Sequence, residues 1–218
     1  MFFLKKKNKI LILQNKALEL SMFLSLPAAV ALIVGSEQII SALFGYGSFD
    51  ELSVTNSAKA LYYFGLGLPA FALIKVFSTF FFANQDTKTP FYISLFSVIL
   101  NILISVYFFR EIGFIIIPIA TTISSWFNAI ILFVYLKNKD LFNFNEIFFA
   151  KLIKILLSSI LMGIFFNYLI LFFQNKLIYE YNFKSFYLIL SAFLSLIFYL
   201  SFSLFIKAFK YGDIKLKY

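Results

Sequence analysis

Few side chains in this sequence are equipped for chemistry, and the most conspicuous sits in apolar surroundings. Lys75 interrupts the run Leu73-Ile74-Lys75-Val76-Phe77, eight residues before Ala83, about 12 Å into a helix at 1.5 Å per residue. An ammonium deep in a bilayer costs at least ~2.5 kcal/mol, so it asks for a cavity, a partner or a route to the interface. That depth is too great for easy snorkelling. Facing a water-filled cavity, Lys75 is a point charge suited to an anionic ligand such as a phosphate. The structural alternative is a lysine that packs against backbone carbonyls or a neighbouring helix.

Other polar residues carry structural or gating roles. Glu37 lies one to two turns before Phe44 and within reach of a pair with Lys59 near the start of the next apolar run. Asn101 and Asn128 are placed to hydrogen-bond across helices, for roughly 0.6 to 2 kcal/mol. Pro27, Pro69 and Pro118 fall inside apolar runs, where each frees a carbonyl and permits a kink. In Ala83-Asn84-Gln85-Asp86-Thr87-Lys88-Thr89-Pro90, Asp86 can accept from nearby backbone donors, Lys88 adds charge, and Pro90 suits the first turn of a new helix. The sequence has no cysteine and no histidine. Thiol chemistry, the usual general base and the commonest metal ligand are thereby missing, so no catalytic residue, metal site or cofactor is expected, and the protein reads as a non-enzyme.

The elements that must position these residues are membrane helices. Of 218 residues, 62% are hydrophobic and 13% charged, with a mean hydropathy of +0.92, far from the balance of a soluble domain. Six runs, 17–44, 58–83, 91–109, 113–136, 148–173 and 186–205, are long enough to cross a hydrocarbon core of ~30 Å. They lack the alternation of a membrane barrel, so helices are the way to satisfy their backbone groups. The fold class is an all-α polytopic bundle of about six transmembrane helices.

Lysine and arginine favour short cytoplasmic loops. Lys5, Lys6, Lys7, Lys9 and Lys16 precede the first run, Lys137, Lys139, Lys151 and Lys154 flank the connection after the fourth, and Lys207, Lys210, Lys215 and Lys217 follow the sixth. All fall on one side. The other side receives Asp50, Glu51, Arg110, Glu111, Lys176, Glu180 and Lys184. Both termini are therefore expected in the cytoplasm. The net charge of +9 follows from this topology and from attraction to anionic membrane lipids, at ~1 kcal/mol per basic residue. Nucleic acid is not needed as a partner. The 33 phenylalanines read as codon bias more than as a binding surface. The amino terminus reads as a basic lead-in, since its apolar stretch is too short and interrupted for a secretory signal. The expected organisation is a lead-in at 1–16, four spans at 17–136, two further spans at 137–206 and a cytoplasmic tail at 207–218.

Several of these stretches together resemble the MurJ/MviN family, the lipid II flippases of bacterial cell-wall synthesis, which belong to a superfamily of multidrug, oligosaccharide-lipid and polysaccharide exporters. The resemblance is carried by Asn15-Lys16-Ala17-Leu18 leading to Leu26-Pro27-Ala28-Ala29, by Leu43-Phe44-Gly45-Tyr46-Gly47-Ser48-Phe49-Asp50, and by Ala60-Leu61-Tyr62-Tyr63-Phe64-Gly65-Leu66-Gly67-Leu68-Pro69-Ala70-Phe71. Lys75-Val76-Phe77 and Phe81-Phe82-Ala83 through Asp86-Thr87-Lys88-Thr89-Pro90 complete it. Beyond Asn101 the match is one of hydropathy and length.

The resemblance implies a fourteen-span, two-lobe transporter fold of which this chain corresponds to the last six spans, four in the carboxy lobe and two accessory. It implies transport of lipid II or a related lipid-linked precursor by alternating access in the bacterial inner membrane. Lys75 is the one residue carried over as a substrate-binding cation, and the accessory pair corresponds to a groove for the lipid tail. The cavity arginines of the first eight spans have no counterpart, so the chain is expected to be either a fragment of a longer or split gene or a part that assembles with a separate amino-terminal lobe, and to be inactive without that lobe. The alternatives are a membrane scaffold or assembly subunit without transport, and a polysaccharide-lipid flippase of the same superfamily.

Overall fold

Apolar runs that cannot be hydrated close their backbone hydrogen bonds internally, and the computed structural model, which describes residues 2–208, contains helices and turns throughout. They are α1 (Phe2–Val34), α2 (Ser36–Phe44), α3 (Glu51–Ala83), α4 (Lys88–Ile112), α5 (Ile116–Asn138), α6 (Glu146–Phe172) and α7 (Lys184–Phe205), with short 3₁₀ turns at Gly113–Ile115 and Gln174–Lys176. Most of the expected tail, with Lys210, Lys215 and Lys217, lies outside the described residues.

Five helical runs are long and apolar enough to cross a membrane. One of them, Lys88–Asn138, spans 51 residues and folds back on itself. Gly113 takes φ 71°, a left-handed conformation that glycine adopts without steric cost, and the chain reverses there. Asn101 then meets Thr121 and Ser124, Phe96 meets Phe127, and Ser94 meets Asn128. This antiparallel register makes α4 and α5 two neighbouring crossings. Asn101 Nδ2 donates to Thr121 Oγ1 at 3.0 Å, and Asn128 Nδ2 reaches Ser94 Oγ at 3.4 Å, the interhelical bonds that isolated amides in lipid require.

Two features of the first span are visible only in the structure. Helix α1 already begins at Phe2, continuous with the span. The helix passes through Pro27 and bends instead at Gly35, between α1 and α2, while Gly35 N still donates to Ala31 O and Ile39 N to Gly35 O. A methyl at Gly35 would collide with the Phe166 ring on α6. One turn away on α6, Gly163 receives Val30 so closely that a methyl there would overlap Val30 Cγ1. Helices in lipid associate by such close packing at small residues, and these two notches seat α6 on the α1–α2 bend.

Helix α3 lies between α1 and α5, with Gly65 against Ala29 and Ile33 and Gly67 against Thr122. Thr122 Oγ1 donates to Tyr63 O at 2.7 Å and Trp126 Nε1 to Leu66 O at 3.0 Å. Many phenylalanines have a structural use that composition alone did not reveal. Phe77, Phe80, Phe81, Phe142 and Phe148 join Leu18, Ile93, Leu132 and Leu136 in the largest buried cluster among the described residues. Phe142, in the connection between α5 and α6, is fully buried with its ring centroid 5.7 Å from Phe80 and 4.9 Å from Phe144.

Candidate functional site

The two ends of the bundle are chemically distinct. At the end holding Asn15, Asp86 and Lys139, short polar contacts lock the elements together. Asn15 on α1 donates to Asn143 O at 2.9 Å and accepts from Asn145 N at 3.0 Å, binding the α5–α6 connection to α1. Asn145 then caps α6 by accepting from Ile147 N. One turn deeper, Lys151 Nζ meets Glu19 Oε2 at 2.6 Å. Asp86 accepts from Thr89 N at 3.0 Å and Thr89 Oγ1 at 2.8 Å, capping the start of α4, where Thr87 at the cap position makes no side-chain bond. Lys139 Nζ, just past α5, approaches the same carboxylate at 2.8 Å. Led by Lys139 and supported by the two Thr89 donors, these partners hold the Asp86 carboxyl at about 2, below its ordinary 3.8.

Lys75 is exposed on α3, and its ammonium has no hydrogen bond or ion pair among the described residues. Phe71, Lys75 and Thr79, spaced four apart, form one exposed stripe. Leu73 and Phe77, two residues to either side, point the opposite way at 100° per residue. The antiparallel register of Gly65 on Ala29 and Ile33 brings Lys75 level with α1 within about one turn of Glu19. Lys75 therefore lies about level with the Glu19–Lys151 pair, eight residues from the end of α3 at Ala83.

The remaining candidates separate. Glu37 and Lys59 border one cleft of about 370 Å³ with Thr55 and Tyr62, yet they do not close to ion-pair distance. Lys88 is exposed and Pro90 is buried in the first turn of α4. Asn101 stays within the α4–α5 hairpin.

A second feature is an apolar groove of about 490 Å³ at the junction of α1, α3, α5 and α6. Met22, Leu73, Phe77, Trp126, Phe133 and Leu152 are among its walls. Lys75 faces away from it, so groove and cation occupy opposite faces of α3. The groove is lined by α6 together with α1, α3 and α5, and α7 contributes none of its walls.

Two pairings are not marked in the sequence by any local motif. Lys151 reads as part of the basic side of the topology, and only the structure shows that it meets Glu19, a carboxylate in another apolar run. Lys184 was counted as a sparse loop charge. In the structure it is fully buried at the opposite end, and no local sequence feature marks it. No group of three or more acidic or thiol ligands that could hold a metal occurs among the described residues.

Helices of this length and apolarity, with polar locks at the ends, define a multi-pass α-helical membrane protein. A solved structure described as "Lipid II flippase MurJ, inward closed conformation" matches with a TM-score of 0.74 at 24% identity, over 93% of this chain and 40% of that one. The family model "Lipid II flippase MurJ" matches residues 3–193, and the chain belongs to that family. A probable lipid II flippase MurJ of Rickettsia prowazekii is 36% identical over 152 residues, covering 70% of this chain and 30% of that relative. One of Rhizobium meliloti is 42% identical over 124 residues, covering 57% of this chain and 23% of the relative. The chain thus spans less than a third of the length of these two relatives.

Proposed function

We propose that this chain is the carboxy-terminal six-helix portion of a lipid II flippase and that it transports only when assembled with an amino-terminal lobe. The observation that carries this reading is the exposed Phe71–Lys75–Thr79 stripe of α3, whose cation has no partner among the described residues. A charge at that depth asks for a cavity or an anion, and a facing lobe would enclose it. In this assembly Lys75 receives the phosphate-bearing headgroup of the lipid-linked precursor. The apolar groove on the other side of α3 takes an isoprenoid or acyl chain. Rocking of the two lobes then exposes the headgroup on alternate sides of the inner membrane. Helices α1 to α5 act as lobe wall, α6 and α7 as the accessory pair, and Asp86, Lys88, Pro90, Glu37 and Asn101 set the turns and hairpins on which gating depends. Both termini face the cytoplasm.

Complementation tests this reading. Cells depleted of their lipid II flippase receive the chain alone, an amino-terminal lobe from a relative alone, or both. Growth and lipid II export are expected only with both, and Lys75→Ala is expected to reduce export while Lys75→Arg retains part of it. Full export with Lys75→Ala would remove Lys75 from substrate binding. Stable assembly with the lobe but no export would favour the scaffold reading.

A further inference from the structure

At the end opposite Asn15, Lys184 is the first residue of α7 and has no exposed surface. Its ammonium donates to Gly45 O and to Tyr179 O, both at 2.6 Å. It lies over two aromatic faces, 4.3 Å from the Tyr46 centroid and 4.5 Å from Tyr179. No carboxylate stands within ion-pair distance of it among the described residues. The cage is built from three separate segments: the end of α2, the loop that follows it, and the connection between α6 and α7. Neighbouring bonds close the same seam. Tyr46 Oη and Ser185 Oγ are 2.7 Å apart, Ser185 Oγ donates to Ala42 O at 2.6 Å, and Tyr179 Oη donates to Phe49 O at 2.7 Å. Gly45 is obligatory, because a Cβ there would meet Ser41 O at 2.6 Å and Lys184 Nζ at 3.2 Å.

We propose that Lys184 is the pin of a releasable cation latch that clamps the outer end of α7 to the α2–α3 loop. A buried ammonium held by a carboxylate leaves an uncompensated charge behind when it departs. Here every partner is neutral: two carbonyls, one of them terminating a helix where cations are favoured, and two ring faces. Opening therefore strands no charge, and the end of a span lies beside water and lipid headgroups that solvate the freed amine. The closed state ties α7 to α2, the short helix beyond the Gly35 bend. The open state frees the outer half of the accessory pair from the core while the Glu19–Lys151 and Asn15 locks hold the other end. This device does not depend on which substrate is transported.

The test uses the intact chain in lipid nanodiscs, open on both faces. Amine acylation read by peptide mass spectrometry compares Lys184 with the exposed Lys176 of the same connection. Lys184 is expected to react at least about tenfold more slowly, and Tyr46→Ala is expected to bring it close to the Lys176 rate, since local opening sets access to buried groups. Equal rates in the unaltered protein would overturn the latch, as would an unchanged slow rate in Tyr46→Ala. The sequence lacks cysteine, so Ser48→Cys with Phe183→Cys gives one spin-label pair across the seam. Its distance distribution is expected to be narrow and to broaden when Lys184→Met is added; an unaltered distribution in a helical variant would also overturn the proposal.

Discussion

Glu19 on α1 and Lys151 on α6 meet at 2.6 Å with side chains 14% and 19% exposed. They are 132 positions apart, and they tie α6 to α1. Breaking one partner of such a shielded pair leaves the other charge uncompensated, a cost of about 3 kcal/mol. Lys151→Met or Glu19→Leu is expected to lose that much stability in detergent unfolding. The double variant is expected to recover most of it, and additive losses would show the two residues to be uncoupled.

Asp86 predicts a pH response at the turn between α3 and α4. Its folded carboxyl titrates at about 2, below the ordinary 3.8. A depressed carboxylate stabilises the fold fully above the ordinary value and ceases to do so as pH falls through the folded one. Protection of the amides of residues 86–89, taken against their intrinsic exchange rates, is thus expected to fall between about pH 4 and pH 2, and Asp86→Asn to abolish that pH dependence while lowering protection at neutral pH.

Gly163→Ala sets helix propensity against packing. Alanine gains up to ~1 kcal/mol over glycine in a helix, but the new methyl overlaps Val30 Cγ1, on a β-branched side chain with little freedom to turn aside. Overpacking costs ~1–3 kcal/mol, so the variant is expected to be less stable. Val30→Ala should restore most of the loss, as measured by thermal unfolding of the pair.

The single tryptophan, Trp126, borders the apolar groove. Lipid chains brominated along their length are expected to quench its fluorescence. Leu73→Trp on the background Trp126→Phe should report the same quenching from the opposite wall. Quenching equal to that of a tryptophan placed on the lipid-facing side of α4, such as Leu103→Trp, would mean that the groove holds no chain of its own.

The orientation drawn from charge is also testable. Ser48→Cys and Gln85→Cys lie in exposed loops at opposite ends of the bundle. In intact spheroplasts a membrane-impermeant maleimide is expected to modify the first and spare the second. The reverse pattern would invert the topology.

Asn101 and Asp86 were legible because their partners are local: the hairpin partner lies 20 positions away and the capped amide three positions away. The break of the first span at Gly35 was not legible, since proline is the visible helix breaker and Pro27 lies inside α1. At Gly35 the Phe166 ring, from a helix more than a hundred residues away, leaves no room for a side chain. Lys75 was recognised as out of place, but its depth and direction depend on the α1–α3 register.

By itself, then, the sequence determined that the chain must enter a membrane as about six helices, because apolar length and backbone satisfaction depend on composition and order alone. Its motifs also pointed to the family. Only the tertiary structure decided which charges meet. Glu19 finds Lys151, Lys184 disappears into a cage of neutral groups, and Lys75 turns away from the groove on the far side of its own helix. Those outcomes rest on interhelical register and on the close approaches at Gly163, Gly35 and Gly45, where two distant surfaces must fit before either side chain acquires its surroundings.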